Sequence, residues 1–350
     1  MSDDLLSPLP RPIDQAARER PALLPALRKA ARTGLALADQ VSWQLSRRLV
    51  REGPSLITVA LHSLCSTRSQ VGDPSLAPSQ NVSVDDFRDL VGTMLDCGYQ
   101  AVSPAQVEAG LDASGKYVMV TFDDGYFNNV LALDVLEEYR IPATFFVSTN
   151  HVLEQKAFWW DALSRELQKA GATDAQRSAE FRKVKAMSPG RIDAYLHRHV
   201  GADALRPQGD RDRPFTRGEL TRFARHRWVH LGNHTSDHAI LTLCSREEMG
   251  QQIQDCQAVL TEIAGYAPIA ISYPNGNCSP AVVEVALAAG LRVGVTVRPH
   301  RNRLPLHDTA DRMNLGRFYF FGGADPRDEF ARWRAGFVPT HLIKTLMKSA

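Results

Sequence analysis

From about residue 55 onward, apolar positions follow two alternating rhythms. Short runs rich in β-branched and aromatic residues predict buried strands: "LITVAL" (56–61), "YVMVTF" (117–122), "PATFFVST" (142–149), "RWVHLGN" (227–233), "PIAISYP" (268–274) and "RVGVTV" (292–297). Helical spacing fills the gaps between them. Phe87, Leu90, Val91, Met94 and Leu95 recur at helical intervals, with Ser83 as N-cap and Gly98 as stop. "NVLALDVLEEYR" (129–140), Glu247–Ile263 and Ala281–Ala289 read the same way. Strand and helix in alternation predict parallel β-structure with crossover helices, either an α/β barrel or a doubly wound sheet. The charged, helix-prone stretch 155–225 interrupts the alternation and reads as an insertion over one face.

Ahead of the barrel-like region the pattern changes. Residues 1–20 are polar and proline-rich, and residues 21–51 are rich in Ala, Leu and Arg, with apolar positions at Leu23, Leu27, Ala31 and Leu35. The expectation is an extension over 1–54, mobile and then helical, followed by a main domain over 55–340. Residues 21–51 read as a helix packed on that domain, with a peripheral contact to an anionic membrane surface as the sharper alternative.

Composition narrows the class. The 350 residues are 44% hydrophobic and 23% charged, as in ordinary globular proteins, and 41 basic residues face 39 acidic ones. That balance carries no nucleic-acid signature. Cys65, Cys97, Cys244, Cys256 and Cys278 are odd in number and scattered, which favours free thiols in a reducing compartment. The opening "MSDDLLSPLPRP" lacks the basic and apolar regions of a secretory leader, so the cytoplasm is the expected location, with the inner face of the membrane as a variant of it.

Polar residues gather where the strands end. Asp123 and Asp124 follow "YVMVTF", His62 follows "LITVAL", and His151 lies just past "FFVST". His234 and His238 follow "HLGN", and "SYPNG" (Ser272–Gly276) ends a further strand. In parallel α/β folds, ligands collect at the carboxyl ends of strands. Adjacent carboxylates need a cation, a shared proton or full exposure. Histidines four apart on a helical turn can share a metal ion, and two His with one Asp leave a coordination position open. Phe158, Trp159 and Trp160, like Tyr126, suit either a stacking wall at the site or anchors for the inserted helices.

With those motifs in place, the chain resembles the NodB-homology polysaccharide deacetylases, metal-dependent carbohydrate esterases that remove N-acetyl groups from amino sugars. "TFDDG" (Thr121–Gly125) stands as the first motif, "HTSDH" (His234–His238) as the second, and "SYPNG" resembles the third. The resemblance covers about residues 55–320. It implies a distorted, seven-stranded, TIM-like (β/α) barrel. Carried over, it makes Asp123 the general base and Asp124, His234 and His238 the ligands of a divalent ion, zinc being expected. Asn275 stands where tyrosine is usual and would supply a backbone N–H to the oxyanion. The general acid is His62 if the chain follows the circularly permuted subgroup resembling poly-N-acetylglucosamine deacetylases, with His307 in "LPLHD" as the competitor. The implied substrate is an N-acetylated poly- or oligosaccharide of cell-surface glycan metabolism. The alternatives are a metal amidohydrolase acting on another C–N bond and an inactive carbohydrate-binding relative.

Overall fold

A computed structural model describes residues 52–71 and 81–336. The chain divides into two compact units, Gly53–Phe330 and residues 1–52 together with 331–350. In the described part of the second unit, Arg334 donates to both carboxylate oxygens of Glu52 at 2.7 Å. The helix expected over 21–51, and its membrane contact, lie outside the described residues. No described helix is long and apolar enough to cross a membrane.

The larger unit is a barrel. β1 (Ser55–Leu61) and β2 (Lys116–Phe122) pair in parallel along their full length, from Ser55 opposite Lys116 to Leu61 opposite Phe122. β3 (Ala143–Val147), β4 (Val229–Asn233), β5 (Ala270–Ser272) and β6 (Val293–Val295) follow, each parallel to the last. β7 (Arg317–Tyr319) returns to β1 in parallel, with Thr58 opposite Arg317. A parallel bridge between Val295 and Leu315 spans the remaining gap. Seven parallel strands therefore make a nearly closed ring. Of the two architectures the alternation allowed, the barrel is the one formed.

Continuous apolar strands follow from this geometry. Every residue of β1 is buried, because helices cover the outer face while side chains fill the interior. Leu56, Met119, Phe146, Ala270, Val293 and Leu315 plug the lower barrel. Outside, α1 (Val84–Asp96) starts at the Ser83 cap, whose Oγ accepts from the Asp86 N–H, and buries Phe87, Leu90, Val91 and Met94.

The stretch 129–140 is not one helix. A 3₁₀ segment, Phe127–Ala132, precedes α2 (Leu133–Tyr139). Its two asparagines are tied to the end of β1: Asn128 Oδ1 accepts from the Leu64 N–H, and Asn129 Nδ2 donates to the His62 carbonyl. These bonds hold the His62 backbone beside the end of β2.

The stretch 155–225 supplies four helices. α3 (Trp159–Lys169), α4 (Asp174–Lys185) and α5 (Pro189–His199) share a core of Leu163, Leu167, Val184, Ile192 and Leu196. The fourth, α6 (Arg217–Ala224), belongs to the barrel layer, since its Phe223 ring packs edge-on against Phe145 of β3 at 4.7 Å.

Candidate functional site

A cavity of about 630 Å³ opens at the carboxyl ends of the strands, with α3, α4 and α5 on one side. His62, Asp123, Asp124, His234, His238 and Asn275 all line it. His307 does not. It is exposed on a loop, where its N–H donates to Asp311.

Backbone strain concentrates here. Among the described residues, six other than glycine have φ between 53° and 78°, and four of them, Asp124, Thr235, His238 and Asn275, belong to the cavity or its motifs. Such left-handed residues persist only where the surroundings fix them, and they cluster at functional sites. Gly125 continues the turn at φ 90°, and a Cβ there would meet Val147 Cγ1 at 2.8 Å. The turn lets both aspartates of the pair reach the cavity. "HTSDH" is likewise not a helical turn. The left-handed Thr235 and His238 fold it back, and that fold brings the two imidazoles within 4.8 Å centroid to centroid.

Asp124, His234 and His238 each offer a ligand atom, all within 4.8 Å of one another. His234 Nε2 lies 3.4 Å and His238 Nε2 3.6 Å from Asp124 Oδ1. His234 Nδ1 is 2.7 Å from the Ser272 carbonyl oxygen, which can only accept. Nδ1 therefore carries a proton, which leaves Nε2, facing Asp124, as the nitrogen an ion would take. Neither Asp124 oxygen has a hydrogen-bond partner among the described residues, although the side chain is buried. Two imidazole nitrogens and a buried carboxylate converging on one point form a donor set for a cation. Burial and the neighbouring His234 push His238 down to about 3, so its nitrogen stays available as a ligand. The donor set and the carbonyl behind His234 suit a divalent ion such as zinc, with coordination positions left open.

Asp123 has a different environment. Arg317 of β7, fully buried, donates Nη1 to Oδ1 and Nη2 to Oδ2, both at 2.7 Å. Ser272 Oγ adds a bond to Oδ2 at 3.1 Å, and Arg317 Nε donates to the Thr296 carbonyl. Burial alone would raise the Asp123 pKa, but Arg317, with His234 and His62, holds it below the usual carboxylate range. The carboxylate accepts three bonds, which leaves room for one more donor from the cavity.

The His62 ring lies parallel to Tyr319 of β7, centroids 5.5 Å apart and planes 10° apart. Asn275 also lines the cavity, its side chain donating to Asn277. The aromatic cluster divides its roles. Phe158 is core. Trp160 is buried and packs its ring against His238 at 4.8 Å, while donating Nε1–H to the Tyr126 hydroxyl. Trp159 is half-buried and lines the cavity.

Sequence reasoning missed Arg317, Ser272 and Tyr319. A signal existed for the first: an arginine inside the apolar run "LGRFYFF" cannot be buried without a partner. No arginine precedes "YP" in the third motif, and Ser272 stands there, hydrogen-bonded to the arginine that β7 supplies instead.

Residues 110–294 match the polysaccharide deacetylase family, just over half of the chain, and the chain belongs to that family. It is 21% identical over 226 residues to YxkH of Bacillus subtilis, a protein named for the same family. That match covers 63% of this chain and 60% of YxkH, less than two thirds of the relative's length. Among solved structures, the Streptococcus pyogenes deacetylase PplD in complex with acetate superposes with a TM-score of 0.54 at 18% identity, covering 81% of this chain and 99% of that one. IcaB from Ammonifex degensii gives 0.53 at 20% identity, over 81% and 98%. A de-N-acetylase from Aggregatibacter actinomycetemcomitans gives 0.53 at 14%, over 77% and 96%. At these identities the structures establish a shared fold.

Proposed function

We propose that the chain is a divalent-metal-dependent N-deacetylase of amino-sugar-containing saccharides. The observation that carries this reading is the pair of unlike aspartates in one cavity. Asp124 faces two histidine nitrogens, while Asp123 is held by Arg317. Asp124, His234 and His238 would hold the ion, zinc being our choice for a His₂Asp set. When bound, such an ion supplies Lewis-acid polarisation of a carbonyl and makes a nearby water more acidic.

The chain's own residues supply the rest. Asp123, ionised and aimed by Arg317, takes the proton of the water that adds to the acetyl carbon. The Asn275 N–H donates to the oxyanion, a contribution of about 3 kcal/mol for one well-placed donor. The C–N bond then breaks, and His62 in its imidazolium form gives the departing sugar nitrogen its proton. Acetate and the free amine leave. We place the activity in the cytoplasm, on the ground that the five cysteines are odd in number and scattered along the chain.

A second reading, hydrolysis of a smaller amide, has one observation in its favour. α3, α4, α5 and the α4–α5 link wall the cavity with Trp159, Phe181, Ile192 and Met187, which suits a short or apolar-tailed substrate. Acetate release by the zinc-loaded protein, measured across N-acetylglucosamine, its oligomers and simple acetamides beside Asp123→Asn, tests both readings. Turnover confined to oligomers supports the first and turnover of acetamides alone the second. No release that depends on Asp123 would sink both.

A further inference from the structure

The closing strand carries a second device. Arg317, Tyr319 and Phe321 stand at alternate positions, so their side chains share one face of the chain. Arg317 lies deepest and is fully buried, Tyr319 is half-buried, and Phe321 at the rim is 46% exposed. Phe318 and Phe320, between them, are buried. Tyr319 is stacked with two rings: His62 at 5.5 Å and 10°, Phe321 at 5.7 Å and 8°. These are offset-parallel ring geometries within the favourable range.

His62 has few other restraints. Its carbonyl accepts from Asn129, but among the described residues no hydrogen bond reaches its imidazole. The paired contacts that orient Asp123 and His234 therefore have no counterpart at His62. The contact that imidazole makes is its stack on Tyr319.

We propose that Tyr319 is the positioning residue for His62, holding its imidazole toward the cavity through the His62–Tyr319–Phe321 stack. One strand would then orient both proton-transfer groups, Asp123 through Arg317 and His62 through Tyr319. The catalytic consequence rests on the role given to His62 above; the positioning itself does not. Small displacements of a reacting group are enough to matter, since about 1 Å of misplacement can lower a rate by roughly 100-fold.

The test uses the full-length, zinc-loaded protein with Tyr319→Leu, Tyr319→Phe and His62→Asn. Histidine side-chain NMR reads the geometry. The carbon-bound His62 protons, assigned by their loss in His62→Asn, are expected upfield in wild type and in Tyr319→Phe, and at open-imidazole positions in Tyr319→Leu. Kinetics reads the consequence. Tyr319→Leu lowers kcat by about 10- to 100-fold with KM nearly unchanged, Tyr319→Phe recovers most of the loss, and Tyr319→Leu has no further effect in the His62→Asn background. Unshifted His62 protons in wild type would overturn the proposal. So would an equal loss in Tyr319→Phe, or a full additional loss in His62→Asn, because the ring would then not be acting through His62. Should wild type release no acetate at all, the deacetylase reading falls, and the NMR comparison alone decides whether Tyr319 positions His62.

Discussion

Arg317 and Asp123 form a buried two-point ion pair, both N–O distances 2.7 Å, between the closing strand and the end of β2. A planar guanidinium fixes both the position and the rotation of the carboxylate. Removing the arginine strands a buried charge, which typically costs about 3–5 kcal/mol. Arg317→Met should therefore lose about that much stability in urea unfolding, and the Asp123→Asn/Arg317→Met double variant should regain most of it. If the double variant is no more stable than Arg317→Met, the pair is not the source of the loss.

Asp124 leads to a prediction about the ion. Neither of its oxygens has a hydrogen-bond partner among the described residues, so the folded protein should be stabilised by whatever cation it binds. Zinc at 100 times its dissociation constant adds about 2.7 kcal/mol. Thermal melts with and without zinc should separate by several degrees for wild type, and chelation should reverse the shift. Asp124→Asn should melt at one temperature in both conditions. An equal zinc shift in that variant would place the ion elsewhere.

Much of this was legible in the sequence because it is written in local runs. "YVMVTFDDG" shows a buried strand ending in two carboxylates, and the "HTSDH" spacing brings both histidines to one cavity. What stayed hidden depends on closure of the barrel. Arg317 reaches Asp123 across 194 residues of sequence, and Ser272 reaches it across 149. Neither relation has a periodicity to reveal it. The backbone of "HTSDH" was also hidden, since a spacing of four suggests a helix. Thr235 and His238 instead adopt left-handed conformations that their residue types do not announce. Which of His62 and His307 lines the cavity depends on which strand end faces it, and only the fold places His62 there.

His151 predicts how stability varies with pH. Its ring is buried, stacked on Phe158 at 4.0 Å, with Nδ1 2.9 Å from the Lys156 carbonyl. Burial pushes its pKa down from 6.5 to about 4. The unfolded chain therefore takes up this proton first. The contribution is fully present above about pH 6.5 and is lost as pH falls toward 4, in all about 3 kcal/mol. His238 acts in the same direction and His234 in the opposite one, so the comparison must be with a variant. In urea unfolding of the metal-free protein, the stability gap between wild type and His151→Gln should narrow from pH 7 to pH 4.5. A gap independent of pH would show that folding leaves the His151 pKa where it stands in the unfolded chain.

Tyr126 ties the inserted helices to the site. It donates to Asp161 Oδ2 at 2.6 Å and accepts from Trp160 Nε1 at 2.8 Å, and Trp160 in turn packs against His238. Burial, with Asp161 and Asp124 nearby, raises the Tyr126 pKa well above its ordinary value, so the hydroxyl remains a donor. Tyr126→Phe deletes both bonds without changing the ring. Leaving a buried donor without its partner costs about 1–3 kcal/mol, and support behind a metal ligand typically changes affinity by about 10- to 100-fold. Because Trp160 supports His238 by packing rather than by a hydrogen bond, we expect the lower end, about tenfold, measured by competition with a chromophoric chelator. Loss of stability with unchanged zinc affinity would make the Tyr126–Trp160 bond an anchor of the insertion alone. A shift in both would show that the helical wall helps to set the geometry of His238.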